Sequence, residues 1–329
     1  MSKFSALQAR ESAAGGFEQV IVQRDIDDLP AGELLIRVKY SSLNYKDALS
    51  ASGNRGVTKS FPHTPGIDAA GVVEASSVAE FSAGDEVIVT GYDLGMNTSG
   101  GLAQYIRIPA SWALKRPKGL SLREAMVLGT AGLTAALCVD KLEQSGLTPD
   151  AGTVLVTGAT GGVGSVAVAL LTTLGYRVAA STGKAEQADY LKALGAQQIV
   201  LRAELQDGTD KPMLKEQWAG AVDCVGGDIL FNVVKSLRYG ASVACCGLTA
   251  GVGFKGSVLP FILRGVNLLG VDSVELPLVV KASMWDKLSL QWKVKLDALV
   301  TEVTLEQLPD AIAQILAGKQ VGRVLVNLA

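Results

Sequence analysis

The stretch TVLVTGATGGVGSVAVALLTTLGYRVAASTG, residues 153–183, decides the fold class. It opens on a continuous apolar run, turns through a Gly-rich loop, continues as an Ala- and Leu-rich helix, and closes on a second apolar run. A strand covered by helices on both faces has no polar side, so two such runs flanking a helix read as a βαβ unit of a parallel sheet. Within the loop, glycine at 158, 161 and 164 permits a sharp turn, close approach of backbone to a pyrophosphate, and close packing of helix on sheet. The helix N-terminus then offers N–H donors and a positive dipole end to phosphates. A Gly-rich loop alone is a weak signal; one that follows an apolar strand and opens a helix meets the required context. The competing reading is a Gly-rich turn that holds no ligand.

The end of the second strand bears on which dinucleotide binds. NAD-specific sites place Asp or Glu about 20 residues after the loop, on the ribose hydroxyls. Here the stretch is Ala180-Ser181-Thr182-Gly183-Lys184, and no acid occurs before Glu186. Hydroxyls with a cation suit a 2′-phosphate, and Arg202 after the strand QQIV could add a planar guanidinium. NADPH is therefore expected over NADH. The bland alternative leaves Lys184 and Arg202 as solvated surface cations.

Outward from this unit, the alternation continues through AEQADYLKALGA as helix, QQIVLR as strand, GAVDCVGG as strand and turn, ILFNVVKSLRYG as helix and ASVACCGL as strand. Upstream, GELLIRVKYSSL, GVVEASS, DEVIVTGY and LAQYIRIP are short β-rich runs bounded by turn residues. The segment from Ser121 reads as a helix with a Ser121–Glu124 capping box. The final QVGRVLVNLA reads as a strand that returns to the first domain. The expectation is an α/β protein: a β-rich domain over residues 1–122 and 271–329, with a doubly wound parallel-sheet domain at 123–270.

Composition excludes several classes. The 329 residues carry 30 Lys+Arg against 32 Asp+Glu, without the basic footprint of a nucleic-acid binder. One histidine, His63, and four cysteines at 138, 224, 245 and 246 form no C-x-x-C or H-x-x-H pair, so no metal site is expected. His63 would be the only base for a Ser-His-Asp hydrolase, and no G-x-S-x-G elbow accompanies it. The N-terminus lacks a signal-peptide-like apolar stretch, and the greasy region around Val163 to Leu171 is too short to cross a bilayer. Reduced thiols and a cytoplasmic location, without membrane association, are expected.

The loop also matches short-chain dehydrogenases, but none of the seven tyrosines has Lys four residues later. Instead, Pro65-Gly66-Ile67-Asp68-Ala69-Ala70-Gly71, Phe81-x-x-Gly84-Asp85-Glu86-Val87, Gly100-Gly101-x-Ala103-Gln104-Tyr105 and Gly132-Leu133-Thr134-Ala135 resemble the medium-chain dehydrogenase/reductase superfamily. Gly66-Ile67-Asp68 stands where zinc-dependent members have Gly-His-Glu, and Asn44-Tyr45 near where they place a Cys ligand. The chain looks like the zinc-free, quinone-oxidoreductase-like branch. Ser41-Ser42-Leu43-Asn44-Tyr45-Lys46-Asp47-Ala48-Leu49, Pro260-Phe261-Ile262-Leu263-Arg264 and Gly270-Val271-Asp272-Ser273-Val274 resemble the bacterial NADPH-dependent acrylyl-CoA reductases. The resemblance implies a GroES-like catalytic domain beside a Rossmann domain. It implies NADPH contacts from Tyr45, Thr160, Gly161, Gly162, Val163, Thr182, Gly183, Lys184, Arg202, Leu248, Ile262, Ser273 and Arg323, and a homodimer. Lys184 stands where some relatives carry Arg.

An enzyme without the zinc Lewis acid is poorly suited to simple ketones; an activated C=C bond is an easier hydride acceptor. The expected reaction is NADPH-dependent reduction of acrylyl-CoA or a similar α,β-unsaturated thioester. The alternatives are an NADPH:quinone oxidoreductase and a non-catalytic NADPH-binding or sensing protein. Tyr45 is the first candidate near the chemistry, either ordering the nicotinamide or donating to the substrate carbonyl. Asn44 could donate a hydrogen bond or serve its own turn, and Asp68 could orient Tyr45 or Lys46 or pair structurally. Lys46, Arg55 and Lys59 could meet the phosphates of coenzyme A or form a solvated basic loop. Replacing Lys184 and Arg202 by Ala should weaken NADPH far more than NADH, since only NADPH carries the 2′-phosphate; equal losses in isothermal titration would remove the assignment.

Overall fold

A computed structural model of the protein describes residues 3–295 and 297–329. The chain opens with an antiparallel hairpin, β1 (Lys3–Glu11) and β2 (Phe17–Asp25), which the sequence patterns above do not single out. The alternating run then becomes β3 (Leu34–Leu43), with Leu34, Ile36 and Val38 buried. There follow α1 (Tyr45–Ala51), β4 (Asp68–Ser76), β5 (Glu86–Thr90), β6 (Tyr105–Ile108), β7 (Ala113–Lys115) and α2 (Leu122–Gln144).

The second run of elements is β8 (Thr153–Val156), α3 (Gly162–Thr173), β9 (Arg177–Thr182), α4 (Ala188–Ala193), β10 (Gln198–Leu201), β11 (Trp218–Asp223), α5 (Gly227–Ser236), β12 (Leu237–Cys245), α6 (Leu259–Arg264) and β13 (Asn267–Gly270). Six strands line up as β10-β9-β8-β11-β12-β13, every pair parallel. This is the doubly wound order, reversing direction beside β8. One reading is corrected: LRYG does not extend the α5 helix. Leu237 turns to extended backbone (ψ 145) and pairs with Trp218, so the sheet claims these residues.

The tail contributes α7 (Leu278–Ser289), β14 (Val300–Val303), α8 (Leu308–Leu316) and β15 (Arg323–Asn327). β15 pairs antiparallel with β3, so the end of the chain rejoins its beginning in a sheet ordered β14-β15-β3-β4-β5-β7, with β6 also on β3. The buried Lys281 ammonium ties α7 to the same unit, donating to the carbonyls of Thr90 (2.7 Å) and Val274 (2.8 Å) above the Tyr92 ring. One compact unit comprises Met1–Thr130, Val274–Ser289 and Leu299–Ala329; the other comprises Ala131–Ser273 and Leu290–Ala298. The divisions thus fall at Thr130 and Ser273 rather than at 122 and 270, and Leu290–Ala298 groups with the parallel-sheet unit.

The Ser121–Glu124 capping box forms, with Ser121 N–H donating to Glu124 at 2.7 Å and Glu124 N–H to the Ser121 hydroxyl at 3.1 Å. The helix after it, rather than the region around Val163–Leu171, is the one long and apolar enough to span a bilayer; 83% of its apolar window is buried within the protein. Gly129 breaks it, with φ 52 and ψ −156. A Cβ there would lie 2.5 Å from both Asp68 Oδ2 and Ser42 Oγ. Gly129→Ala combines forbidden backbone with that clash and should cost about 3 kcal/mol or more. An unchanged urea midpoint would contradict the packing described here.

Candidate functional site

In the first unit the site grows from Asp68, the first residue of β4, which is fully buried. Burying a carboxylate is costly unless its oxygens are filled with hydrogen bonds. Four groups supply them. The Ser42 hydroxyl donates to Oδ2 (2.5 Å) and the Asn44 amide to Oδ2 (2.8 Å). The Thr130 hydroxyl donates to Oδ1 (2.6 Å), and the Thr130 N–H reaches both oxygens (2.9 and 3.1 Å). The kink at Gly129 turns Thr130 N–H out of the helix and onto this carboxylate. Among the described residues Asp68 is bonded by Ser42, Asn44 and Thr130 and not directly by Tyr45 or Lys46, so any hold it has on Tyr45 runs through Asn44 at the start of α1.

Asp47, not singled out in the sequence, is the second buried carboxylate. It sits in the first turn of α1 and accepts from Asn44 N–H (2.7 Å) and Ile67 N–H (2.8 Å). The Asn44-x-x-Asp47 spacing of a capping box was its available signal. Burial, reinforced by the nearby Asp68 charge, pushes the Asp47 carboxyl up to about 7, against the pull of those peptide donors. Asn44 donates its amide to Asp68 and Asp47, while its oxygen accepts from Arg323 Nη1 (3.2 Å). Its hydrogen bonding is thus internal, which favours the structural reading over a substrate donor. Arg323, buried at the start of β15, also donates to the Val127 carbonyl (2.9 Å), and its Nη2 has no partner among the described residues. Burial lowers the Arg323 pKa, opposed by Asp68 and Asp47.

Tyr45 begins α1 and is 40% exposed, and no hydrogen bond of its hydroxyl is found among the described residues. Of the cations, Arg55 is held by Glu11 (2.9 Å), donates to the Lys59 carbonyl (2.6 Å) and lies over Phe61. Lys46 is half-buried and Lys59 exposed. His63 is buried against the Gly95 carbonyl (3.0 Å), and burial lowers its pKa. That is a structural role.

In the second unit, Gly158 adopts φ 59, and a Cβ on Gly164 would stand 2.3 Å from the Gly158 carbonyl oxygen. The loop therefore closes onto the first turn of α3 only with glycine there. Gly161 caps α3 without a side-chain bond, so the first helical N–H groups, at Gly162 and Val163, take no side-chain cap from that residue. Thr160 lies 3.3 Å from Thr182, hydroxyl to hydroxyl, and Lys184 N–H donates to Thr182 (2.9 Å). Arg202 lies across Gly183, where a Cβ would come 2.8 Å from the guanidinium carbon. Burial chiefly, and then Arg202, lower the Lys184 pKa against Glu186. Ser273 accepts from Thr134 (2.7 Å), whereas Leu248 and Ile262 are exposed.

Asp223, at the end of β11, is this unit's buried carboxylate. It accepts from Thr157 hydroxyl (2.7 Å), Gly226 N–H (2.7 Å) and Val225 N–H (3.3 Å). Burial raises its pKa against the Thr157 and Gly226 donors. Sequence reading missed this pair, because Thr157 and Asp223 are 66 residues apart. Among the described residues no group of three His, Cys, Asp or Glu could hold a metal ion.

This architecture, a β unit interrupted by a doubly wound unit with a glycine loop, is that of a dehydrogenase. Family models match in the same order: the alcohol dehydrogenase GroES-like domain over residues 30–118 and the zinc-binding dehydrogenase domain over residues 162–289. YhfP of Bacillus subtilis (strain 168), described as a candidate quinone oxidoreductase, is 49% identical over 99% of each chain. The acrylyl-CoA reductase AcuI of Ruegeria pomeroyi is 46% identical over 99% of each chain. Among solved structures, the yhdH oxidoreductase of Salmonella enterica in complex with NADP has TM-score 0.96 and 43% identity, covering 99% of this chain and 100% of that one. Bacillus subtilis yhfP with NAD bound has TM-score 0.96 and 48% identity, covering 100% of both chains. The chain belongs to the quinone-oxidoreductase-like branch of the medium-chain dehydrogenase/reductase family, and it is an oxidoreductase.

The raised Asp47 value carries a pH signature. Its folded pKa lies above the ordinary 3.8, so the folded state binds the extra proton. The resulting stabilisation is complete below about pH 4 and is lost as pH rises through about 7, a span of roughly 4 kcal/mol. A carboxyl 13C NMR titration, with the Asp47 signal identified by its loss in Asp47→Asn, should show a midpoint near 7. A midpoint below 5 would contradict the desolvated pair.

Proposed function

We infer that the chain is an NADPH-dependent reductase of the activated C=C bond in acrylyl-CoA or a similar α,β-unsaturated thioester, giving the saturated acyl-CoA. The observation that carries the cofactor is the pair of cations, Lys184 and Arg202, flanking Gly183 at the strand end where an NAD site would place an acid. The fit extends to the start of α3, which has no side-chain cap, and to the tight Gly158–Gly164 turn. The substrate reading rests on the likeness to the acrylyl-CoA reductase of Ruegeria pomeroyi.

When bound, NADPH supplies a hydride. The protein's task at the substrate is to stabilise the charge that appears on the thioester oxygen when the β-carbon is reduced, and to let a proton reach the α-carbon. The Tyr45 hydroxyl is the group this reading assigns to that oxygen, since it is exposed while Asn44 is spent on Asp68 and Asp47. Asn44, Asp68 and Asp47 are positioning residues: they hold the start of α1, and with it Tyr45, against β3 and β4. With Arg55 engaged by Glu11, Lys46 and Lys59 remain the cations for coenzyme A phosphates. The likeness to YhfP favours a second reading, in which a quinone takes the hydride.

Oxidation of NADPH should be fast with acrylyl-CoA and slow with crotonyl-CoA or a benzoquinone. Turnover confined to the quinone would replace the thioester reading with the second one. Tyr45→Phe should lower kcat with acrylyl-CoA about a hundredfold, the scale of losing one oxyanion donor. Near-normal kcat would reduce Tyr45 to a packing role.

A further inference from the structure

Cysteines at 138, 224 and 246 are far apart in sequence, but the parallel sheet gathers them. Cys224 follows the last residue of β11 and Cys246 the last of β12. The ladder pairs Asp223 with Cys245, so the two thiols occupy the next rung, and Cys246 N–H donates to the Asp223 carbonyl (2.9 Å). Their sulfurs lie 3.9 Å apart, and Cys246 Sγ is 3.3 Å from that same carbonyl. Cys138, fully buried on α2, hydrogen-bonds the Cys246 thiol from the other side. Cys224 and Cys246 are partly exposed. Two neighbouring thiols that can donate to it hold the Cys246 thiol well below the usual range, while the Cys138 and Cys224 thiols are pushed up.

We propose that Cys224 and Cys246 form a dithiol that hydrogen peroxide closes to an intramolecular disulfide. Adjacent strands lie about 4.8 Å apart, inside the roughly 4.4–6.8 Å Cα separation that a disulfide spans, and the sulfurs must close from 3.9 Å to about 2.05 Å. In the first step the Cys246 thiolate attacks a peroxide oxygen and the O–O bond breaks, leaving a sulfenic acid on Cys246 and one water after protonation. In the second, Cys224 sulfur attacks the sulfenic sulfur, the S–O bond breaks, and a second water leaves with the Cys224 proton. Two thiols and one hydrogen peroxide thus give one disulfide and two waters.

The pair sits under the glycine loop. Cys224 N–H donates to the Thr157 hydroxyl (3.1 Å), and a Cβ on Gly158 would lie 3.4 Å from Cys224 Cβ. Drawing Cys224 toward Cys246 disturbs that support. The oxidised chain therefore binds NADPH more weakly, a consequence that rests on the cofactor reading above.

The full chain, treated with limiting hydrogen peroxide, should lose about 2 Da in intact mass, and non-reducing peptide mapping should join Cys224 to Cys246. Dithiothreitol should reverse the change. Cys138→Ala should keep the cross-link and Cys246→Ser should lose it, with the wild-type map deciding if a variant fails to fold. Oxidation of Cys246 to a sulfinic acid without a cross-link, or a bridge to Cys138, would overturn the proposal. NADPH fluorescence titration should show affinity falling about tenfold on cross-linking and returning on reduction; unchanged affinity in fully cross-linked protein overturns the coupling to the loop. If the reduced chain fails to bind NADPH yet the cross-link forms, the cofactor reading fails and the dithiol stands.

Discussion

A buried carboxylate, bonded among the described residues by hydroxyl, amide and peptide donors and not by lysine or arginine, sets the terms for the first unit. Asp68 is satisfied by convergence, taking hydrogen bonds from the Ser42 hydroxyl at the end of β3, from the Asn44 amide just after it, and from both the hydroxyl and the peptide N–H of Thr130. Each donor must be brought to the same few ångströms. That requirement explains why α2 breaks where it does: a continuous helix would keep the Thr130 N–H for its own ladder, and any side chain at 129 would occupy the space of Asp68 and Ser42. It also explains why Asn44 is an amide, since it must donate to carboxylates with one end and accept from Arg323 with the other.

The second unit repeats the device with different parts. Asp223 ends a central strand, is buried, and gathers the Thr157 hydroxyl and two N–H groups of the following turn. The glycine loop is thereby fixed at its base while its tip, from Gly161 into α3, has no side-chain cap. In both units a buried acid holds the backbone behind the candidate groups: Tyr45 in one, and the start of α3 with Lys184 and Arg202 in the other. Rigid support behind, open hydrogen-bonding capacity in front, is what a site that must discriminate charge and geometry requires.

The sequence made some of this legible and hid the rest for physical reasons. Local patterns carried far: the apolar runs at 153–156 and 177–182, the glycine spacing between them, the capping box at Ser121 and the return of β15 all depend on neighbours within a few residues or on simple polarity. The LRYG segment misled because Leu237 could close a helix or open a strand, and only the pairing with Trp218 decides. Asp68 was visible as a conspicuous acid, but its partners come from residues 42, 44 and 130, and no spacing rule predicts that meeting. The same holds for Thr157 with Asp223 and for the three thiols. Lys184 and Arg202 were readable as cations near a missing acid; that Arg202 lies across Gly183 needed coordinates.

The central claim is that this scaffold delivers hydride to the β-carbon of an unsaturated thioester. Its most direct test is isotopic. Acrylyl-CoA is reduced with NADPH deuterated at C4 of the nicotinamide, each face in turn, and the propionyl-CoA is analysed by mass spectrometry and NMR. One deuterium, from one face only, is expected at the β-carbon, with the α-hydrogen drawn from solvent. No deuterium in the acyl chain, while the protein binds NADPH and oxidises it with a quinone, would contradict that delivery.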